Sequence, residues 1–368
     1  MAVRSTARND NPGYLAGIRR VLYRLAHWET WDWRIKYIFI APAWCWFCVR
    51  ARSPWFFTAS NPSLTFGGFD GESKQEMYAQ LPPGSYPKSI YVSPCMSFPV
   101  VEQLITLNGF EYPFVVKPNV GKMGFMFRRI NTVQELMTYH ATIHCDYIIQ
   151  ELVQHPMEVS VFYYRYPHAQ KGTITGFIRK EFLRVTGDGK STLWELMLNY
   201  PRVQFRLDEM KAKHKDKLDH VLAPGEDYCL SPALNLSRGG KLVSLEHEKD
   251  DSLTKVFDDI SHYTGNFYYG RYDIKCRSIQ DLKRGMNFTI LEYNGSGAEP
   301  HHVYGNGYSL WQACSILVSH WQALYRISRI NHQKGVAYWD HKSAKEFLYK
   351  TGRHLKKLKE LDKETPLT

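Results

Sequence analysis

Two short runs in the last third of the sequence combine residue types that bind metal ions and phosphate. Gly270-Arg271-Tyr272-Asp273 is followed by Leu291-Glu292-Tyr293-Asn294-Gly295. Glu292 and Asn294 stand two apart in a predicted strand, so both side chains point to one face. If the strand holding Asp273 is its neighbour, three oxygen donors converge, and such a set suits Mg²⁺ with phosphate oxygens. The competing interpretation is an ordinary polar sheet face.

Two earlier runs could contact a nucleotide. Phe114-Val115-Val116-Lys117-Pro118 precedes Gly121-Lys122-Met123-Gly124. A lysine at a strand end followed by a glycine loop can offer one charge and several backbone N–H groups to phosphate. Ile148 to Val153, with Glu158 just beyond, could hydrogen-bond an adenine edge and ribose hydroxyls. The alternative for Lys117 is a solvated lysine before a turn.

In this order, these residues resemble the ATP-grasp superfamily over roughly residues 88–310. Within this superfamily, the sequence resembles two branches, the D-alanine–D-alanine ligase-like and the cyanophycin-synthetase-like carboxylate–amine ligases. Two further stretches are similar to the second branch, Val185-Thr186-Gly187-Asp188-Gly189-Lys190-Ser191-Thr192 and Asn235-Leu236-Ser237-Arg238-Gly239-Gly240. The segment from Gly295 to His302 departs from the first branch, because it lacks that branch's substrate-carboxylate serines, and D-alanine is therefore not supported as the substrate.

The resemblance implies a site for ATP and Mg²⁺. It implies that Arg271 stabilises the acyl-phosphate and tetrahedral intermediate, with Arg238 beside it. It implies that the metal is held by Asp273, Glu292 and Asn294. The residues it implies for the nucleotide are Lys88, Lys117, Gly121, Gly124, Glu151, Leu152, Val153, Glu158, Lys180 and Asn235.

The implied function is a carboxylate–amine ligase acting on a small acid and an amine. An ATP-grasp phosphotransferase would share every ATP and metal residue and differ only in its acceptor. A non-catalytic nucleotide-binding protein at a membrane surface is the alternative from another class. The identities of the acid and the amine, and the oligomeric state, are left open by the sequence.

The hydrophobic periodicity predicts an α+β fold, which the resemblance specifies as two α+β lobes holding ATP between them. The predicted regions are an aromatic-rich segment (1–86), a small lobe (87–150), a large lobe (151–330) and a basic helical tail (331–368). Predicted strands cover 89–92, 113–117, 147–153, 158–164, two runs within 174–185, 267–275 and 287–293. Predicted helices cover 14–27, 100–107, a helix opened at Thr132, 192–198, 202–222, 251–263, 309–327 and 341–361.

Composition narrows the class of protein. Of the 368 residues, 44% are apolar and 23% are charged, which is typical of a globular chain. Seven scattered cysteines favour a reducing compartment over a disulfide framework. The net charge of +11 fits an anionic substrate or an anionic membrane better than nucleic acid, for which no binding motif is present.

The most apolar run, Tyr37 to Val49, is too short to span a membrane and is flanked by basic residues. We expect a cytoplasmic protein in which this run is buried, and an interfacial membrane contact through residues 37–57 is the alternative.

Overall fold

The computed structural model describes residues 27–28, 31–200, 203, 207–231 and 240–365. Two compact units share the chain. Unit 1 comprises Met1–Pro42, Arg184–Leu230 and Tyr308–Ser315, and unit 2 comprises Ala43–Leu183, Ser231–Gly307 and Ile316–Thr368. The helix predicted over 14–27 lies, except for its last residue, outside the described residues. The predicted lobe boundaries stay predictions.

Helices and strands alternate irregularly, which confirms the predicted α+β class and the helical C-terminal region. The described strands are β1 (Ser89–Val92), β2 (Phe114–Pro118), β3 (Arg128–Ile130), β4 (Tyr147–Glu151), β5 (Met157–Tyr164), β6 (Thr173–Glu181), β7 (Leu183–Thr186), β8 (Asp227–Ser231), β9 (Lys241–Ser244), β10 (Tyr269–Cys276) and β11 (Phe288–Asn294). The described α-helices are α1 (Trp33–Ile38), α2 (Ala41–Ala51), α3 (Lys74–Ala79), α4 (Phe98–Leu107), α5 (Val133–Thr142), α6 (Leu193–Asn199), α7 (Leu207–Lys213), α8 (Asp251–Thr264), α9 (Ile279–Lys283), α10 (His302–Gly305), α11 (Leu310–Gln333) and α12 (His341–Glu364).

Unit 2 contains a four-stranded antiparallel sheet in the order β1-β4-β2-β3. Its strands are short apolar runs, and Val101 of α4 and Leu136 of α5 join them in one buried cluster. Helix α5 begins at Thr132, whose hydroxyl accepts from the Glu135 backbone N–H, as the T-x-x-E pattern predicts. Leu355 and Leu358 of α12 complete this cluster, so the basic C-terminal helix packs on the small sheet.

A second antiparallel sheet of unit 2 has the order β11-β10-β5-β6-β9. Its apolar face packs on α8 through Leu253, Phe257 and Ile260. Helix α8 ends at Gly265, whose φ of 73° is the left-handed conformation that glycine adopts without strain. The other face of this antiparallel sheet carries polar side chains, among them Glu158, Ser160 and Asp273.

The segment 53–71 contacts this second sheet at the start of β10 and after the end of β11. The Asn61 side chain is fully buried, donating to Tyr269 O at 2.9 Å and accepting from the Tyr268 N–H at 2.9 Å. A Cβ on Gly295 would lie 2.8 Å from Gly67 O, so the two loops meet backbone to backbone. The strand that carries Arg271 and Asp273 is therefore fixed at its start by residues far away in the sequence.

Unit 1 contains the two-stranded ribbon of β7 and β8 with α6 and α7. Helix α6 begins with a complete capping box between Thr192 and Glu195. The single helix predicted over 202–222 is wrong, because α7 ends at Lys213 and only a 3-10 turn follows at Lys215–Lys217. Charged residues at helical spacing do not by themselves stabilise a helix after Lys213, because few apolar side chains after Met210 are available to pack one face of it. In the described part of the chain, no helix is long and apolar enough to cross a membrane.

Candidate active site

The polar face of the five-stranded sheet brings the predicted catalytic and metal residues together. In the register, Asp273 stands opposite Ser160 on β5 and opposite Glu292 on β11, and Arg271 stands opposite Asn294. The register shifts after Asp273, so Leu291 is an extra residue in β11. The direct pairing of Asp273 with Glu292 puts Glu292 and Asn294 on the same face as Asp273, as the sequence predicts for neighbouring strands.

Asp273 lies at the centre of a buried ion network. Its Oδ1 lies 3.1 Å from Lys180 Nζ and accepts the Ser160 hydroxyl, and its Oδ2 accepts from Arg271 Nη2 at 3.2 Å. Arg271 Nε also donates to Oδ1 at 3.3 Å, and Asn294 Nδ2 donates to Oδ2 at 3.2 Å. Burial alone would raise the pKa of Asp273, but Arg271 and Lys180 hold it well below its usual range. The Asp273 carboxylate is therefore ionised, and the contacts with Lys180, Arg271 and Asn294 hold it in place.

Lys180 links this carboxylate to the predicted ribose residue. Its Nζ donates to Glu158 Oε1 at 3.0 Å as well as contacting Asp273. Burial lowers the pKa of Lys180, but Asp273 and Glu158 outweigh burial and raise it overall. Two cations, Arg271 and Lys180, thus face two carboxylates, Asp273 and Glu158.

The four-stranded sheet contributes a second group of cations. Lys117, near the end of β2, lies 3.4 Å from the Tyr78 hydroxyl, and burial lowers its pKa to about 8 despite the nearby Glu292. Lys74, the first residue of α3, donates to Gly121 O at 3.1 Å and lies 3.8 Å from Glu292 Oε1. Burial also lowers the pKa of Lys74. A buried amine, Lys74, and a partly buried one, Lys117, therefore both lie near Glu292, an arrangement suited to an added anion.

Tyr78 connects the two sheets at this point. Its hydroxyl donates to Leu291 O at 2.7 Å on β11 and accepts from Gln150 Nε2 at 3.0 Å on β4. Because it also contacts Lys117, one side chain holds the amine of one sheet beside the bulge of the other. Lys117 and Glu292 are in this way brought to a common site.

The side chains near Glu292 offer oxygen atoms, the type of ligand that Mg²⁺ binds. The Glu292 side chain is 39% exposed, and Lys74 is the cation placed beside it. Asn294 directs its Nδ2 to Asp273, which leaves its amide oxygen free of that bond. The described residues contain no cluster of three or more His, Cys, Asp and Glu that could hold a metal ion. A metal ion here would be bound by the carboxylates of Asp273 and Glu292 and by the amide oxygen of Asn294. Mg²⁺ accepts such a small protein set because water and phosphate complete its octahedron.

The predicted adenine residues lie at the end of β4 in the four-stranded sheet, whereas the predicted ribose residue Glu158 lies on β5 of the five-stranded sheet. Glu151 is the last residue of β4, Leu152 and Val153 follow it, and Lys275 Nζ donates to Val153 O at 2.9 Å. The Glu151 carboxylate accepts from the Lys88 backbone N–H at 3.0 Å. Lys88 Nζ itself donates to Gly109 O at 3.2 Å and lies 5.0 Å from the Phe110 ring centre. The structure therefore places the Lys88 amine on the helix α4 side of the small sheet and not beside Lys117.

The glycine loop after β2 is held by salt-bridge and hydrogen-bond contacts. Gly121 O accepts from Lys74, and Lys122 forms an ion pair with Asp70 at 2.7 Å. Met123 and Gly124 have φ values of 57° and 70°, so the loop turns through two left-handed residues. A loop of this kind presents successive backbone N–H groups.

Other residues at the site had no signal in the sequence. Lys74, Tyr78 and Glu72 lie within the segment 1–86, for which the sequence predicts no site residue. Burial, with a contribution from Glu292, raises the pKa of Glu72 to about 7. On the opposite side, Glu299 O accepts from Arg271 Nη1 at 2.8 Å. The predicted residues Asn235 and Arg238 lie outside the described residues.

Comparisons with known proteins give likeness in structure alone. No family model matches the chain, and no curated protein matches it in sequence. A bifunctional glutathione synthetase from Pasteurella multocida is similar at a TM-score of 0.42 and 14% identity over 67% of this chain and 34% of its own. D-alanine–D-alanine ligase from Bacillus anthracis is similar at a TM-score of 0.40 and 13% identity over 72% and 69%. The ATP-grasp ligase PsnB is similar at a TM-score of 0.35 and 14% identity over 67% and 60%. The chain thus spans about a third of the first of these proteins, and each of these likenesses has a TM-score below 0.5.

Proposed function

We propose that this protein is an ATP-dependent carboxylate–amine ligase that works through an acyl-phosphate and releases ADP and phosphate. The observation that supports it most is the pairing of two cation groups in one compact unit. Lys117 and Lys74 lie beside Glu292 of β11. Arg271, which is held by Asp273, lies on the adjoining strand β10. One group suits the phosphates of ATP, and the other suits the reacting acyl group.

The first step needs positive charge around the phosphoryl group. A carboxylate oxygen of the substrate attacks the γ-phosphorus of ATP, and ADP leaves. Negative charge then spreads over the phosphoryl oxygens, and fixed cations stabilise it most when they are already in position. Lys117 is partly buried and contacts Tyr78, and Lys74 is buried and bonded to Gly121, so little reorganisation is needed. Bound Mg²⁺, held by Glu292, Asn294 and Asp273, would add positive charge at the phosphate oxygens.

The second step forms the C–N bond. The amine attacks the acyl carbon, the nitrogen loses a proton, and phosphate leaves with one oxygen of the original carboxylate. Arg271 uses three of its five N–H groups on Asp273 and Glu299, which leaves two for an anionic oxygen. The guanidinium stays charged and its plane is fixed by the bidentate contact, so it can stabilise the tetrahedral oxyanion.

The direct test combines a substrate screen with an oxygen label. The protein is incubated with Mg²⁺-ATP, a panel of carboxylic acids and a panel of amines, and products are identified by mass spectrometry. A ligase gives a product equal to acid plus amine minus water, together with ADP and free phosphate. When the acid carries heavy oxygen in its carboxylate, one labelled oxygen must appear in the released phosphate.

Each other outcome identifies a different reaction. Phosphate retained on the acceptor, without free phosphate, would establish a phosphotransferase. AMP and pyrophosphate with the label in AMP would establish adenylation and exclude the proposed route. Glu292→Gln is the matched control, because it alters the proposed metal set and leaves the buried Asp273 network in place.

A further inference from the structure

Helix α2 exposes an apolar stripe in the most apolar run of the sequence. Trp46 and Val49 are 57% and 70% exposed, and Cys45 and Arg50 are exposed beside them. Residues at these spacings lie on one helix face. The other face is already packed, because Phe47 is 9% exposed and stacks on Tyr325 at 5.2 Å between ring centres. The exposed stripe is therefore additional to the side that anchors the helix.

Along the sequence, the charged residues next to this stripe are all basic. The sequence contains no Asp or Glu from Trp33 to Phe69, whereas Arg50 and Arg52 follow the stripe and Arg34 and Lys36 precede it. The Arg50 guanidinium carbon lies 5.8 Å from the centre of the Trp46 ring. Trp and Arg with aliphatic neighbours form the side-chain set that occupies the boundary between acyl chains and headgroups.

Unit 1, taken by itself, repeats the same composition. Ile38, Phe39 and Trp311 are 66%, 45% and 70% exposed, and the Phe39 and Trp311 rings lie 6.0 Å apart. The run Tyr37 to Val49 is therefore only partly buried, contrary to the expectation that it is a core segment. Ile40 and Phe47 are its buried members at 3% and 9% exposure.

We propose that the outward face of α2 (Cys45, Trp46, Val49 and Arg50) binds the surface of an anionic phospholipid bilayer. The helix has 11 residues, whereas a span needs about 20, so it would lie in the plane of the interface. The apolar side chains enter the acyl boundary while the arginines reach the headgroups. A second copy of the chain fits less well, because the same face would bring like charges together.

Binding of the full chain to vesicles tests this proposal. Sedimentation with vesicles of about 30% phosphatidylserine in phosphatidylcholine is compared with phosphatidylcholine alone. The double variant Trp46→Glu, Val49→Glu should weaken binding to anionic vesicles by roughly 100-fold or more, since two exposed apolar anchors are lost. The double variant Arg50→Gln, Arg52→Gln should weaken it by roughly 30-fold, from about 1 kcal/mol for each basic residue.

A matched control separates this face from general charge effects. Leu107→Glu with Tyr263→Glu makes the same change in net charge at two other exposed apolar positions, 82% and 52% exposed. This control should bind anionic vesicles as the unaltered protein does. ATP binding should be the same in all variants, so the result is independent of the proposed ligase activity.

Three results would overturn the proposal. The first is a folded protein that does not sediment with anionic vesicles at low salt. The second is equal loss of binding in the control and the Trp46 variant. The third is a dimer, or a complex with a single-stranded oligonucleotide, that only the Trp46 variant abolishes, because the face would then serve another partner.

Discussion

Asp273→Asn is the substitution whose effect on stability the ion network determines most directly. The side chains of Asp273, Lys180 and Arg271 are 9%, 6% and 10% exposed. In the native protein two cations face two carboxylates, and the substitution leaves two cations facing Glu158 alone. Removing one partner of a buried ion pair costs about 3–5 kcal/mol. Because Lys180 keeps Glu158, we expect the lower end, about 3 kcal/mol, in the free energy of unfolding.

Glu292→Gln separates this structural effect from the proposed metal role. Its side chain is 39% exposed and its ion pair with Lys74 is long, at 3.8 Å. A long, half-exposed pair contributes less than a short buried one, so this variant should lose less stability than Asp273→Asn does. Both variants should lose Mg²⁺-dependent turnover. Urea unfolding without nucleotide gives the stability, and ADP release under native conditions gives the turnover.

The combination of results decides the interpretation. An Asp273→Asn variant that unfolds at the same urea concentration as the native protein would show that the buried network is not what holds Arg271 and Lys180. Full turnover in purified Glu292→Gln would remove Glu292 from metal binding. The unfolding result does not depend on knowing the acid or the amine.

Three further substitutions have measurable consequences. Lys117→Ala should weaken binding of a non-hydrolysable ATP analogue by about 1.5–3 kcal/mol in calorimetry. Because the pKa of Lys117 is about 8 before an anion binds, native affinity should fall above pH 8 by up to roughly tenfold per pH unit, whereas the variant should lack this decline. Arg271→Lys should lower kcat by roughly 100-fold with ATP affinity within about twofold, and equal losses in both would contradict a role in the transition state. His320→Phe should remove an acid sensitivity: burial lowers the His320 pKa to about 3, so stability present above pH 6.5 is lost as pH falls toward 3. At pH 5 this amounts to about 2 kcal/mol, measured as the difference in unfolding free energy between pH 8 and pH 5.

Local signals account for the elements that the sequence predicted well. The strand at Ser89–Val92 is a short apolar run beside turn residues, and it was predicted with its observed bounds. Thr132 and Thr192 begin helices because their hydroxyls bond backbone N–H groups three residues ahead, an interaction that sequence spacing determines. The face shared by Asp273, Glu292 and Asn294 followed from the two-residue repeat of a strand, although the bulge at Leu291 had no signal.

The remaining features depend on contacts between distant residues. Lys74 approaches Glu292 and Gly121 from a segment without a recognisable motif, so only the fold reveals it. Lys88 has the residue type expected beside phosphate, but its amine bonds Gly109 O on the other side of the strand. The pairing of Arg271 with Asp273 also becomes visible only in the fold, and it leaves two N–H groups of the guanidinium without a bond to Asp273 or Glu299.

The backbone contact between Gly67 and Gly295 has a consequence for how this protein can be recombined with others. The loop after β11 has no room for a side chain there, and Asn61 ties the same region to the start of β10. A chimera that joined residues 87 onward to a foreign N-terminal segment would therefore lose the surface on which this loop rests. In such a chimera, the aromatic segment and the strands that carry Arg271 and Glu292 must come from the same parent protein, even though more than 200 residues separate Asn61 from Tyr269.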